Sequence, residues 1–177
     1  NTHGHSHPKI AEEIATQARG FAQVILADFS HEPAARLSAV LKDMLPGDLD
    51  HVFYSDNGST SVEVMLKMAL QAQHNLGAKQ RRHFVAFEGA YHGDTVGAMS
   101  VGERGVFNEP FWDLLFDSTV LPYGDAQALR THLEKHAETT AGVIMEPLVQ
   151  GAAGMVFSSV SYLRECSDIC REFGVYF

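Results

Sequence analysis

Three stretches of this chain gather residues able to bind an anion or exchange a proton. The first is Val52-Phe53-Tyr54-Ser55-Asp56-Asn57-Gly58-Ser59-Thr60-Ser61-Val62-Glu63, an apolar run that passes through a small polar turn into helical periodicity. Thr60 and Glu63 have the spacing of a capping box, so a helix is expected to begin near Ser59 or Thr60 with free amides and the positive end of its dipole facing the turn. Gly58 lets backbone approach a ligand closely, and the hydroxyls of Ser59 and Thr60 can donate to phosphate oxygens. A capped helix with no ligand uses the same residue types, and that reading stays open. The turn lacks the Gly-Lys-Ser/Thr ending of a P-loop and the glycine spacing of a dinucleotide turn.

The second stretch, Phe87-Glu88-Gly89-Ala90-Tyr91-His92-Gly93-Asp94-Thr95, follows an apolar run and places an aromatic ring, an imidazole and a carboxylate between glycines. Such side chains at the carboxyl end of a strand line the usual ligand crevice of an α/β sheet. Tyr91 could stack on a flat ring, and His92 or Asp94 could exchange protons with a substrate; a packed tyrosine beside a solvated His-Asp pair is the alternative. The third, Val143-Ile144-Met145-Glu146-Pro147-Leu148-Val149-Gln150-Gly151, is a buried run closed by Pro147, which leaves Glu146 at the same sheet edge. The opening His3-Gly4-His5-Ser6-His7-Pro8 could share a metal ion between alternate imidazoles, but no carboxylate or cysteine lies near it in sequence. A turn into a helix is the expectation there.

The elements that must hold these residues follow from periodicity. Helical spacing recurs over Ile10 to Leu26, Ala34 to Leu45, Val62 to Leu76, Leu129 to Ala137 and Leu163 to Phe173. Short β-like runs fall at His51 to Ser55, His83 to Glu88, Thr119 to Pro122, Gly142 to Glu146 and Val175 to Phe177. Alternation of this kind predicts an α/β fold of three layers, α/β/α, with a mostly parallel sheet. Gly102 to Asp117, with Phe107, Phe111, Trp112 and Phe116, has no clean period and is expected to be a long excursion packed down by its aromatics.

Composition narrows the function. The 177 residues, 45% hydrophobic and 20% charged, suffice for one substantial core. A net charge of -9 without a basic stripe excludes a nucleic-acid partner, because a phosphate backbone would be repelled. No apolar run reaches membrane-spanning length, so a membrane role is not expected and the cytoplasm is the default compartment. Cys166 and Cys170 lie four apart on a helical stretch, share a face, and are expected to be reduced and packed.

Taken together, in this order and at these separations, the three stretches resemble class III aminotransferases of the fold-type I pyridoxal-phosphate superfamily. Asp56-Asn57-Gly58-Ser59 with Val62-Glu63 is similar to that family's phosphate-cup turn, usually Asp-Ser-Gly-Ser, with Asn57 in place of the serine. Ala90-Tyr91-His92-Gly93-Asp94-Thr95-Val96-Gly97-Ala98-Met99-Ser100 resembles a family run that differs at Ala90 (glycine) and Val96 (phenylalanine), and Ile144 to Met155 resembles another. The resemblance covers essentially the whole chain, which would then be part of the family's large, cofactor-binding domain, continuing beyond both ends.

The resemblance implies pyridoxal 5'-phosphate as cofactor. Gly58 and Ser59 would hold its phosphate, Tyr91 would stack on its ring and also face substrate, Glu146 and Gln150 would lie near cofactor and substrate, and Asp94 would border the amino-donor pocket. The Schiff-base lysine and the aspartate that pairs with the pyridinium nitrogen are expected beyond Phe177, so this stretch alone is expected to be inactive. Lys9, Lys42, Lys67, Lys79 and Lys135 all fall on predicted helices or their ends. The version of the tyrosine run points to S-adenosylmethionine as donor and 8-amino-7-oxononanoate as acceptor, in biotin biosynthesis, with the family's homodimer as the working form. Alternatives are a class III enzyme using ornithine, 4-aminobutyrate or β-alanine, and a non-catalytic domain that binds a phosphate ligand.

Overall fold

The computed structural model describes residues 2–177. They form two compact units, Asn1–Phe53 and Tyr54–Phe177. The first unit carries helices α1 (Pro8–Gly20) and α2 (Glu32–Met44). Pro8 occupies the first turn of α1, where its missing N–H costs nothing. The helix stops at Gly20, short of the expected Leu26, because Phe21 is extended and its amide closes on the Gln17 carbonyl. At the start of α2, the Ala34 amide donates to His31 Nδ1 at 3.3 Å.

In the second unit the order is α3 (Gly58–Asn75), β1 (His83–Phe87), α4 (Val96–Ser100), a 3-10 turn at Glu109–Leu114, β2 (Thr119–Leu121), α5 (Ala126–His136), β3 (Thr140–Val143), β4 (Val149–Gln150), β5 (Val156–Phe157) and α6 (Val160–Glu172). Strands β2, β1 and β3 lie in that spatial order and are all parallel. Tyr176 adds a parallel bridge to Gly142 on the free side of β3. The β4–β5 pair is a separate antiparallel hairpin.

Strand β1 explains the layering. Its alternate residues Val85 and Phe87 pack with Leu129 and Leu133 of α5 and Tyr162, Cys166, Ile169 and Cys170 of α6. Phe84 and Ala86 point the other way, into Leu66 and Ala69 of α3 and Val101 after α4. A strand buried on both faces needs a continuous apolar run, and His-Phe-Val-Ala-Phe supplies one. The fold is therefore the expected three-layer α/β/α with a parallel sheet. Leu129 and Leu133 are wholly buried, each contributing on the order of 2 kcal/mol by leaving water. The thiols of Cys166 and Cys170 are free and buried in the same layer.

Arg81 closes the lower end of this layer. Its guanidinium donates to the Gly174 carbonyl, and to that of Phe173 at 3.4 Å, which satisfies carbonyls left open where α6 ends. Glu138 lies 3.7 Å from the same group.

Three expected strands change, the run at Val175 to Phe177 reducing to the single bridge at Tyr176. His51 to Ser55 has no regular structure, because its backbone joins neither the β2-β1-β3 sheet nor the β4-β5 hairpin. The run expected over Gly142 to Glu146 instead begins at Thr140 and ends at Val143, where β1 stops offering partners beyond Ile144's amide. Helix α4 and the short hairpin were not anticipated; five-residue and two-residue elements leave too little periodicity to read.

Candidate active site at the carboxyl ends of the strands

Helix α3 begins at Gly58, one or two residues before the start expected near Ser59 or Thr60. Asn57 is its cap: Thr60 N donates to Asn57 Oδ1 at 2.9 Å, and Asn57 N donates to Thr60 Oγ1 at 3.3 Å, which completes a capping box between these two residues. Thr60 is consequently not free to serve a ligand, since its hydroxyl donates to Asp56 Oδ1 at 2.7 Å. That bond, first among the causes, holds the Asp56 carboxyl below its ordinary range. Ser61 N goes to the Asn57 carbonyl, while the amides of Gly58 and Ser59 have no acceptor among the described residues.

Ser59 lies in the first turn of α3. Its Oγ accepts the amide of Asp94 at 3.3 Å, which uses a lone pair and leaves the hydroxyl proton uncommitted. The approach is close enough to require glycine at 93, where φ is +122° and any Cβ would overlap the Ser59 side chain. Gly58, by contrast, has no atom within 4 Å of the position a Cβ would take.

Tyr91 leaves the same loop with half of its surface exposed, at 50%. Its hydroxyl donates to Asp94 Oδ2 at 2.8 Å, and this bond raises the phenol above its ordinary pKa, so the tyrosine remains a donor. His92 turns inward. Burial pushes its pKa down against the opposing influence of Glu146, and its Nε2 is buried with no partner among the described residues.

Glu146 and Gln150 act on backbone. The Glu146 carboxylate accepts the amide of Tyr91 on one oxygen and that of Gly151 on the other, both at 3.0 Å. Gln150, 2% exposed, donates from Nε2 to the Glu88 carbonyl at 2.7 Å. Together they bind the tyrosine loop to the hairpin that follows β3. Gly89 permits this, with φ +74° and Gln150 Oε1 at 2.9 Å from where its Cβ would be. Tyr123 reinforces the junction, its hydroxyl 3.2 Å from the Glu146 carbonyl oxygen and 2.9 Å from Ser158 Oγ.

Beside Tyr91 and Asp94 lies an open cleft of about 1020 Å³, walled by Val96, Met99, Phe107 and Phe111. The excursion that forms its outer wall is held at both ends: Phe116 N donates to Ser100 Oγ at 3.1 Å, and Asn108 Nδ2 to the Glu103 carbonyl at 3.0 Å. Trp112 stands outside the cleft lining and donates to Asn108 Oδ1 at 2.8 Å. No sequence signal singled out Gly93, whose role depends on a neighbour 34 positions earlier in the chain.

A helix end with two unpaired amides, an exposed tyrosine beside it and a broad cleft at the carboxyl ends of parallel strands are the features of a ligand site in an α/β protein. The profile of class III aminotransferases matches residues 1–177, and the chain belongs to that family. It is 51% identical, over 93% of its length, to the adenosylmethionine-8-amino-7-oxononanoate aminotransferase of Synechococcus elongatus, and 39% identical, over 98%, to the enzyme of the same name from Mycobacterium leprae. It covers 42% of each of those relatives. Among solved structures, the enzyme of that name from Methanocaldococcus jannaschii superposes with a TM-score of 0.92 at 36% identity, over 98% of this chain and 41% of that one. A PMP-bound aminotransferase from Vibrio fluvialis superposes with a TM-score of 0.84 at 25% identity, over 96% of this chain and 42% of that one.

Class III aminotransferases use pyridoxal phosphate, and the residues present fit that group. The uncommitted Gly58 and Ser59 amides, the free Ser59 proton and the open space at Gly58 suit a phosphate, and the exposed Tyr91 ring suits a planar heterocycle.

Proposed function

We propose that this chain forms part of the cofactor-binding domain of an enzyme that moves an amino group from S-adenosylmethionine to 8-amino-7-oxononanoate, giving 7,8-diaminononanoate for biotin biosynthesis. The observation that carries the reading is the joint arrangement of Ser59, Tyr91 and Asp94 around one helix end, in a chain half identical to an enzyme named for that reaction. Working as a cytoplasmic homodimer is part of the same proposal. No helix of the described residues is long and apolar enough to cross a membrane.

When bound, pyridoxal phosphate supplies the electron sink through which an amino group can pass between two substrates. The chain's own residues bind and orient. Gly58 and Ser59 hold the phosphate with two amides and a hydroxyl at the positive end of an 18-residue helix. Tyr91 offers its ring as a stacking face, and Asp94 fixes that ring through the phenolic hydrogen bond. Asp94 also puts a carboxylate at the border of the cleft, complementary to a cationic donor such as a sulfonium carrying an ammonium group. Glu146 and Gln150 contribute by fixing the backbone of the tyrosine loop rather than through free polar atoms.

Amino transfer by the full-length enzyme is the test. With pyridoxal phosphate and 8-amino-7-oxononanoate present, mass spectrometry is expected to detect 7,8-diaminononanoate when S-adenosylmethionine is the donor. Product from ornithine, 4-aminobutyrate or β-alanine, and none from S-adenosylmethionine, would reassign the donor while keeping the family.

A further inference from the structure

We infer that Glu63, which touches neither the proposed cofactor site nor the cleft, is a positioning residue that sets the spacing between the phosphate-binding turn and the tyrosine loop. The inference rests on the cofactor reading given above. Glu63 lies one turn beyond Ser59 on α3. Its Oε1 accepts the Thr95 hydroxyl at 2.5 Å, the Gly97 amide at 2.6 Å and the Ala98 amide at 3.2 Å. Three donors on one oxygen cap the start of α4, whose own Thr95 gives no side-chain cap. Gly97 is required for the approach, because a Cβ there would overlap the Glu63 carboxylate.

The consequence is geometric. Residues 91–98 are fastened to α3 at two heights: at Ser59 through Gly93 and the Asp94 amide, and one turn along at Glu63 through Thr95, Gly97 and Ala98. The Ser59 contact is a single bond of 3.3 Å, too weak to hold register alone, whereas the Glu63 contact is multiple and partly buried. Loss of the Glu63 anchor leaves Ser59 and Tyr91 individually intact but free to separate, and a site assembled from two segments loses affinity when their spacing is not fixed.

Four variants of the full-length protein test this, each measured for pyridoxal phosphate dissociation constant, kcat and KM separately, and melting temperature without cofactor. Glu63→Ala is expected to weaken cofactor binding about tenfold or more and to lower kcat. Glu63→Gln keeps an oxygen in place for the same donors and is expected to stay within about threefold of wild type. Thr95→Val removes one donor and is expected to fall between them, which covers the case in which Glu63→Ala does not fold. Arg81→Ala, which uncaps α6 far from the site, is the structural control and is expected to lower melting temperature without changing the dissociation constant. If Glu63→Ala and Thr95→Val lose only melting temperature, as Arg81→Ala does, the inference is wrong. If wild type itself does not bind pyridoxal phosphate, the cofactor reading fails instead.

Discussion

The amide of Asp94 donates to the hydroxyl oxygen of Ser59 at 3.3 Å, joining residues 35 positions apart. Through this contact the loop that carries Tyr91 is set directly against the helix end that offers Gly58 and Ser59. The bond also orients the serine: with one lone pair engaged, the hydroxyl proton is left for an acceptor outside the protein.

Gly93 is the residue that allows this approach, and it is the first point of test. Gly93→Ala adds a methyl group where Ser59 stands, at a φ of +122°. The strain alone is worth roughly 1–3 kcal/mol. The full-length variant is expected to melt at lower temperature and to bind pyridoxal phosphate at least about tenfold more weakly, since the loop must withdraw from Ser59. An unchanged dissociation constant would show that the two segments need not touch.

Tyr91 separates stacking from hydrogen bonding. Tyr91→Phe keeps the ring and loses the 2.8 Å bond to Asp94. It is expected to hold cofactor within about threefold of wild type while raising KM for the donor about fivefold, the equivalent of one hydrogen bond. Tyr91→Ala is expected to lose cofactor affinity about tenfold or more. Because the phenol pKa is raised above 10.0 in the folded protein, its contribution to stability is complete below that pH and fades as pH rises through the folded value. Tyr91→Phe should therefore lose part of the wild type's alkaline sensitivity in a pH series of melts.

Acid sensitivity should come from two partly buried histidines, His92 and His132, whose Nε2 atoms have no hydrogen-bond partner among the described residues. Burial, then His136 and His83, lower the His132 pKa from 6.5, and burial lowers that of His92. The unfolded chain therefore binds more protons between each lowered value and 6.5, so stability falls as pH drops through that window. Melting temperature is expected to decline as pH falls below the ordinary histidine value of 6.5. His132→Leu, outside the proposed site, is expected to flatten that decline without weakening cofactor binding; an equal slope in wild type and variant would contradict the assignment.

The cysteines should be inert. Burial raises the pKa of Cys166 and pushes that of Cys170 up to about 12, so thiolate is scarce at neutral pH. A thiol reagent at about pH 8 is expected to label neither residue in the folded protein and both after denaturation. Rapid labelling of the folded protein would mean that the α6 face opens.

Much of this was readable from residue order. The apolar run of β1 and the periods of α3, α5 and α6 carry their layer assignments, because each is long enough to show which face is buried. Ser59 and Tyr91 stand out in the sequence by their surroundings and by the family likeness, and the fold brings their two segments together. The capping box of α3 closes between Asn57 and Thr60 rather than Thr60 and Glu63, two pairs of identical spacing that only the fold distinguishes. Glu63, freed from capping its own helix, caps α4 instead. Glu146 is expected at the sheet edge, and the family likeness puts it and Gln150 near cofactor and substrate; their partners in the fold are the Tyr91, Gly151 and Glu88 backbones. Spacing along a chain cannot reveal contacts made by the backbone of a distant segment.

The central claim, that the start of α3 and the Tyr91 loop together form the cofactor seat, is tested most directly by an equilibrium titration of full-length wild type and Ser59→Ala with pyridoxal phosphate. Ser59→Ala removes one charge-assisted hydrogen bond to the phosphate, worth about 1.5–3 kcal/mol, and is predicted to raise the dissociation constant roughly tenfold to a hundredfold, with only a small loss of melting temperature in the cofactor-free protein from the 3.3 Å bond to the Asp94 amide. Identical dissociation constants for the two proteins would contradict the account.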